Sequence, residues 1–208
     1  MSTLLKPLFV REELLKRGMR VFTPLEFTRI FQAPPYMIKY FLETQVEEGL
    51  LARIKQGLYT LKTDPPSEKE VANRLYKPSY ISFAYALAYY NIIPEMPYQI
   101  TSATTNPTRV FSNTNQVFSY YTIKEEAFTG YVLKKEGERA FLIADPEKAL
   151  VDYVYMVTLG RSQPSLDRLY IKSLNKEKAV EYAKLYKRKS LVKKIEELFK
   201  SPPEAEII

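Results

Sequence analysis

The side chains that could support catalysis are few in this sequence. It contains no histidine and no cysteine, which excludes thiol nucleophiles, disulfides and histidine acid–base chemistry. Three carboxylates are clustered at Asp145, Glu147 and Asp152, and a metal or acid–base site would need them to converge in space. Asp145 precedes a proline as a helix N-cap does, and Glu147 falls in the first turn, where its charge favours the helix dipole. We therefore predict a helix start here, with no catalytic residue, no metal site and no cofactor.

The charge of the chain indicates a binding role. There are 31 Lys and Arg against 24 Asp and Glu, a net charge of +7. The excess lies at the two ends, because residues 1–63 have 10 basic and 6 acidic side chains and residues 165–208 have 11 and 7. Positive ends suggest an anionic partner, nucleic acid first, although ordinary solvated helix faces would account for the charge as well.

The candidates for nucleic-acid contact lie on one predicted helix, which follows Pro34-Pro35 and ends at Gly49. Its apolar stripe consists of Ile38, Leu42 and Val46, flanked by Phe41 and Gln45. Its opposite side presents Tyr36, Lys39, Tyr40 and Glu43.

In a recognition helix lying in the major groove, Lys39 can bind phosphate or guanine, and Glu43 can accept a hydrogen bond from cytosine. Tyr36 and Tyr40 can contact phosphate or a thymine methyl group. A surface helix without a ligand explains this helix equally well when it is taken alone. The acidic pair before the final glycine would repel phosphate unless it faces away.

The preceding and following elements favour DNA binding. A first helix ends at Gly18, and a short second helix starts at TPLE, where Thr23 and Glu26 form a capping box around Pro24. After the third helix, LARIKQGLYTL reads as a hairpin with a tight turn at Gln56-Gly57. This order predicts a winged helix-turn-helix over residues 1–63, whose wing meets phosphate through Arg53, Lys55 and Gln56.

The rest of the chain has a different pattern. The polar stretch KTDPPSEKE predicts a linker at residues 64–70, and residues 71–208 are predicted to form a mixed α/β domain that ends in two basic helices. Helices are expected at VANRLY, at Ser79–Ile92 and from Pro146. Strands are expected at YQITSATT, VFSYYTI, FTGYVL and RAFLIA. The predicted fold class is α+β.

The sequence predicts neither a signal peptide nor a membrane-spanning segment. The first residues, MSTLLKPLFVREELLKRG, do not have the pattern of a signal peptide, and the apolar run ISFAYALAYYNII is too short and too rich in tyrosine to span a bilayer. We therefore expect a soluble, cytoplasmic protein.

Two regions together resemble the AbiEi-type antitoxins, which are transcriptional regulators of type IV toxin–antitoxin and phage-defence loci. TPLEF, the following helix-turn-helix and EEGLLARIKQGLYTL are similar to the amino-terminal winged helix of that family. ITSATTNPTRVF, VFSYYTI, TGYV and RAFLIADPEKALVDYVY are similar to its carboxy-terminal domain. The chain departs from the family pattern at Lys55-Gln56, where an arginine is expected.

The resemblance covers residues 5 to 190 and implies a function. The winged helix would bind an operator, an inverted repeat of double-stranded DNA upstream of its own operon, with self-association on the DNA as one option. The carboxy-terminal domain would counteract a toxin of nucleotidyltransferase type, directly or indirectly.

Other interpretations remain open from the sequence. The chain could be a regulator with no toxin beside it. It could be a nucleic-acid-processing enzyme delivered by the winged helix, with Arg109 joining Asp145, Glu147 and Asp152 in the site. It could also be a protein-interaction module that uses its basic tail helices.

Overall fold

The computed structural model describes residues 5–112, 116–160 and 166–203. It is a mixed α+β structure, as the sequence predicts. The contacts divide it into two compact units. Unit 1 contains the residues up to Leu75 together with Gly137–Arg139, and unit 2 contains Tyr76–Glu136 and the residues from Ala140 onward.

Unit 1 combines four helices with a small antiparallel sheet of strand order β1-β3-β2. Its elements are α1 (Pro7–Lys16), β1 (Val21–Phe22), α2 (Pro24–Phe31), α3 (Pro35–Glu47), β2 (Leu51–Lys55), β3 (Leu58–Leu61) and α4 (Glu68–Leu75).

The predicted start of the short second helix is confirmed. The Thr23 hydroxyl accepts the Glu26 backbone N–H at 3.3 Å, and the Glu26 carboxylate accepts the Thr23 N–H at 2.8 Å. Gln32 then adopts a left-handed conformation with φ 48° and ends α2. The chain can therefore turn at once into Pro34 and Pro35, which begin α3 with the φ that a first helical turn requires.

The core of unit 1 fixes how α3 is oriented. Val10 and Leu14 of α1, and Phe22 of β1, are buried against Phe27 of α2. The same core takes up the predicted apolar stripe of α3, of which Ile38, Phe41, Leu42 and Gln45 are buried and Val46 is half-buried. Because one side of the helix is held in this way, its other side must face outward.

The division between the units falls after Leu75, whereas the sequence predicted a linker at 64–70 and a second domain from residue 71. The stretch is held to unit 1 by an ion pair between Arg20 and Asp64 at 2.9 Å, and α4 is held by an ion pair between Arg74 and Glu26. The apparent linker also contains a capping box, since Ser67 and Glu70 bond each other's backbone N–H. The S-x-x-E pattern in the sequence is the signature of this capping box.

Unit 2 is built on a six-stranded mixed sheet of order β6-β7-β5-β4-β9-β8. Strand β4 is antiparallel to β5 and parallel to β9, while β7 is parallel to β5 and antiparallel to β6. The elements are β4 (Ser79–Ile81), α5 (Phe83–Tyr89), β5 (Ile100–Thr104), β6 (Arg109–Ser112), β7 (Val117–Thr122), β8 (Tyr131–Glu136), β9 (Arg139–Ala144), α6 (Pro146–Thr158), α7 (Lys176–Leu185) and α8 (Lys189–Lys200).

One predicted helix was wrong in its first part. The sequence indicated a helix over Ser79–Ile92, but Ser79–Ile81 forms strand β4 and the helix begins at Phe83. The strand is paired on both sides, and Ser82 continues the pairing through a 2.9 Å bond from its N–H to the Thr101 carbonyl. Pairing with two neighbours outweighs the helical pattern of this tyrosine-rich segment.

Helix α6 is the central helix of unit 2 and contacts α5, α7 and α8. The predicted N-cap Asp145 of α6 accepts a backbone N–H at 2.8 Å, and Asn175 caps α7 in the same way at 2.9 Å. In the described ranges, no helix is both long enough and apolar enough to cross a membrane.

Candidate functional site

The structure brings the four predicted residues of the third helix together on one exposed face. The side chains of Tyr36 and Tyr40 are 74% and 72% exposed, and Lys39 and Glu43 are exposed as well. Their spacing of three, four and seven residues places them in one row along α3. Within the part of the chain that the structure describes, none of these four side chains has a hydrogen bond or ion pair.

The charge along α3 is uneven. Its first turn contains no acidic residue, so the positive end of the helix dipole is not neutralised there. The acidic pair Glu47 and Glu48 lies at the opposite end, where Glu48 accepts a 2.6 Å bond from the buried Gln45 amide. An anion approaching α3 would therefore meet its N-terminal half, the half that carries Tyr36 and Lys39.

The hairpin that follows α3 has the predicted turn. Gln56 and Gly57 connect β2 to β3, with Gly57 at φ +74°. Arg53 is exposed and pairs with Tyr59 across the hairpin, and its guanidinium lies 5.7 Å from the Tyr59 ring centroid. Gln56 is also exposed. This stacking holds an exposed cation beside the hairpin tip.

Lys55 does not have the placement that the sequence suggested. Its side chain is half-buried, and its ammonium donates a hydrogen bond to the backbone carbonyl of Leu75, the last residue of α4. That carbonyl is at the negative end of the helix dipole, which favours a cation. The Lys55 ammonium, which was predicted to contact phosphate, is thus bound within unit 1. Of the three predicted wing residues, Arg53 and Gln56 are exposed.

The carboxylates at the start of α6 have structural partners. One oxygen of Asp145 caps the helix, and the other accepts from the Tyr182 hydroxyl at 2.6 Å and lies 3.2 Å from the Lys178 ammonium. Glu147 accepts from the Asn175 N–H at 3.1 Å and from Lys178 at 3.0 Å. Burial alone would raise the pKa of Glu147, but these two hydrogen bonds outweigh it and lower the pKa. Both carboxylates therefore fasten α7 to α6.

Asp152 is not part of that capping group. It lies on the buried side of α6 and is fully buried, in an ion pair with the equally buried Lys148 one turn earlier. Its carboxylate also accepts from the Tyr80 hydroxyl at 3.1 Å, from the Ser82 hydroxyl at 2.7 Å and from the Tyr186 hydroxyl. We call Lys148, Asp152, Tyr80, Ser82 and Tyr186 the buried polar cluster.

The ammonium and the three hydroxyls of the buried polar cluster all donate to Asp152. Each Asp152 oxygen accepts from two donors. Burial raises the pKa of Tyr80 and Tyr186, and the charge of Asp152 raises it further, so both hydroxyls stay protonated and donate. Burial also lowers the pKa of Lys148, against the opposing effect of Asp152. Both oxygens of the Asp152 carboxylate therefore accept hydrogen bonds within the core, as expected of a carboxylate with a structural role.

The buried polar cluster was not predicted, although the sequence contains a local signal for its ion pair. Lys148 and Asp152 are four residues apart in α6, a spacing that places opposite charges on one face of a helix. Their hydroxyl partners Tyr80 and Tyr186 come from distant segments, and no local pattern connects them to α6.

The alternative enzymatic site is not assembled. Arg109 is exposed on β6, at one edge of the sheet, where its guanidinium lies 5.0 Å from the Phe111 ring centroid. Asp145 follows β9, and three strands separate β9 from β6, which is a distance of about 19 Å at the usual strand spacing. Among the described residues, no group of three potential ligands is placed to hold a metal ion.

The buried polar cluster gives a test of its structural role. Replacing Asp152 by Ala leaves the Lys148 charge buried without its partner, so we expect a loss of about 3–5 kcal/mol in the free energy of unfolding. Lys148→Met should cost less, because the carboxylate keeps its three hydroxyl donors. Both values can be measured by urea unfolding, with Glu181→Ala on the exposed side of α7 as a control that should stay within about 0.5 kcal/mol. An Asp152→Ala protein as stable as this control would contradict the assignment.

Comparison with known proteins does not assign this chain to a family. No model of a known protein family matches this chain, and no curated protein matches it. The resemblance to the AbiEi-type antitoxins therefore stays a prediction based on the motifs, and the function must be argued from the residues themselves.

Proposed function

We propose that this protein is a transcriptional regulator that binds double-stranded DNA sequence-specifically, through a winged helix-turn-helix formed by unit 1. The observation that carries the proposal is the outer face of α3. It presents two tyrosines, a lysine and a glutamate that have no side-chain partner among the described residues, on a helix whose other face is packed into the core. These four side chains are of the kinds that read base edges and phosphates in the major groove.

The elements around α3 support the same proposal. The capped helix α2 and the short turn at Pro34 come directly before it, and the hairpin β2–β3 comes directly after it. In a winged helix-turn-helix these are the supporting helix, the turn and the wing. The short strand β1 pairs with β3 and holds the hairpin in the sheet of unit 1.

The exposed tyrosines are informative because large rings on a surface usually have a binding role when they lie side by side. Tyr36 and Tyr40 are one helical turn apart. A tyrosine offers a hydroxyl to phosphate and an apolar ring to a thymine methyl group, and its few rotatable bonds make ordering inexpensive. Lys39 lies between them and supplies the charge.

The hairpin contributes a contact of another kind. The Arg53 guanidinium, stacked on Tyr59, has the planar fork of donors that binds two oxygens of one phosphate. Such a contact fixes the position of the protein on the duplex and carries no sequence information. Gln56 at the turn can add a neutral hydrogen bond to the same backbone.

We further propose that the protein is the antitoxin of a type IV system and counteracts a nucleotidyltransferase toxin, directly or indirectly. This part depends on the resemblance, which runs through RAFLIADPEKALVDYVY. In unit 2 that segment supplies the α6 cap, Glu147 and the Lys148–Asp152 pair, which together fasten α7 and β4 to α6. A resemblance carried by such residues supports a common fold for unit 2. A regulator with no toxin beside it is the second candidate.

The recognition helix can be tested by substitution. We expect the double variant Lys39→Ala, Tyr40→Ala to lose about 1–3 kcal/mol of discrimination between operator and random DNA, for each base contact removed. Titration against DNA from upstream of the protein's own gene and against shuffled DNA measures this difference. Lys16→Ala on α1 and Tyr98→Ala in unit 2 remove one exposed side chain of each type and should discriminate as the wild type does. Unchanged discrimination in the double variant would remove α3 from the interface.

The wing can be tested by salt dependence. Arg53→Ala should weaken binding to every sequence alike and lower the slope of log affinity against log salt by about one unit for the lost phosphate contact. Lys55→Ala should leave that slope unchanged and lower the thermal stability, because it removes the bond to the Leu75 carbonyl. Equal slopes for wild type and Arg53→Ala, or a slope lowered by Lys55→Ala, would contradict this division of roles.

The two proposed activities can be separated in the full-length chain. The double variant Lys39→Ala, Tyr40→Ala should fail to repress its promoter, yet it should still protect cells that express the nucleotidyltransferase encoded beside it. Asp152→Ala, which disturbs the core of unit 2, should lose the protection. Absence of any such toxin gene, or a failure of the wild-type protein to protect, would refute the antitoxin role and leave the DNA-binding proposal standing.

A further inference from the structure

Unit 2 contains a cleft that the proposed function does not use. Its volume is about 190 Å³. It opens between α5, β5, β7 and α6, and the residues that form it differ in exposure. Phe83, Thr101 and Met156 are buried and form its floor, and the half-buried rim consists of Ala84, Gln99, Tyr121 and Tyr153.

The floor of the cleft is held in an unfavourable backbone conformation. Phe83 has φ +58°, in the left-handed region that bulky residues avoid. Three hydrogen bonds impose this bend: Ser82 N–H to the Thr101 carbonyl at 2.9 Å, the Thr101 hydroxyl to the Ser82 carbonyl at 2.6 Å, and Tyr85 N–H to the Thr101 hydroxyl at 3.2 Å. Such strain is concentrated at active sites and ligand sites in proteins. Here it places the Phe83 ring against the cleft.

The lining selects a neutral aromatic ligand. Phe83 and Tyr121 meet edge to face, with ring centroids 5.4 Å apart at 83°, and Tyr153 adds a third ring. Flat heterocycles pack well against such rings. The lining residues include no charged side chain, so a ligand with a formal charge would lose its hydration without gaining an ion pair.

The polar groups of the cleft favour a ligand that has hydrogen-bonding atoms along its edge. The Gln99 carboxamide accepts from the Ser119 hydroxyl at 2.9 Å through its oxygen, which turns its NH₂ group away from Ser119. That group can donate to an unprotonated ring nitrogen. The hydroxyls of Tyr121 and Tyr153 can donate or accept.

The volume limits the size of the ligand. A cavity of about 150 Å³ accepts benzene, and pockets for drug-sized molecules start at about 300 Å³. At 190 Å³, the cleft fits two fused rings and not a whole nucleotide. We propose that this cleft binds a neutral two-ring heterocycle of the purine-base type, with its edge hydrogen-bonded by Gln99. This site is independent of the DNA-binding proposal, because it lies wholly within unit 2.

Adenine is a suitable probe, tested on the full-length protein by saturation-transfer NMR and by calorimetric titration. We expect saturable binding of one adenine to each chain. Tyr153→Ala should weaken it at least tenfold, whereas Tyr98→Ala, which removes an exposed tyrosine of the same unit, should bind as the wild type does. Ala84→Leu fills the cleft from its rim and should abolish binding. Adenine that failed to saturate the wild type, or bound Ala84→Leu as well as the wild type, would overturn the proposal.

Two further comparisons test the chemistry of the site. Gln99→Leu keeps the approximate shape of a half-exposed rim residue, so its fold should be retained, and loss of one hydrogen bond should weaken adenine binding about fivefold. Adenosine monophosphate should bind no more tightly than adenine, since none of the described residues that line the cleft is a cation. Unchanged adenine affinity in Gln99→Leu, or a monophosphate that bound tenfold more tightly, would contradict the assignment of a neutral base.

Discussion

The carboxylate of Asp152 is the group on which unit 2 depends most. Its four donors come from β4, from the residue that joins β4 to α5, from α6 itself and from the segment that follows α7. A charge without water must be surrounded in this way, because an unpaired buried carboxylate costs several kcal/mol. Because Asp152 needs these donors, β4, the bend at Ser82, α6 and the end of α7 are held against each other. Ser82 extends the same constraint to the strained Phe83, so the cleft is shaped by the cluster beside it.

Unit 1 is stabilised differently, by capping and by its apolar core. Glu26 closes the N-terminus of α2 through Thr23 and also pairs with Arg74 of α4. Burial would raise its pKa, but the bonds from Arg74 and Thr23 outweigh burial and lower the pKa. The carboxylate thus stays ionised at neutral pH and joins the short helix to α4. Because these contacts and the apolar core position α2, the turn into α3 is fixed, and the outer face of α3 can be presented in one orientation.

The sequence predicted the parts that depend on local signals. The capping box at Thr23, the cap at Asp145, the hairpin turn at Gly57 and the buried stripe of α3 are all confirmed, since each is set by a few neighbouring residues. It failed where distant pairing decides the outcome. The sequence of strand β4 has a helical pattern when it is taken alone. The hydroxyls of the buried polar cluster come from separate segments, and Lys55 donates to a backbone carbonyl twenty residues away. Such contacts leave no periodicity to detect.

In unit 2 the residues that carry the resemblance have structural partners, unlike the residues of unit 1 that carry the proposed DNA contact. The segment ADPEKALVD supplies a cap and a buried ion pair, and such groups constrain a fold without specifying what it binds. The outer face of α3 contributes nothing to the core, since Tyr36, Lys39 and Tyr40 are exposed and the packing of the helix is complete without them. The packing of unit 1 therefore does not account for the identity of these side chains. For this reason the DNA-binding proposal depends on α3 itself, whereas the antitoxin proposal depends on the resemblance.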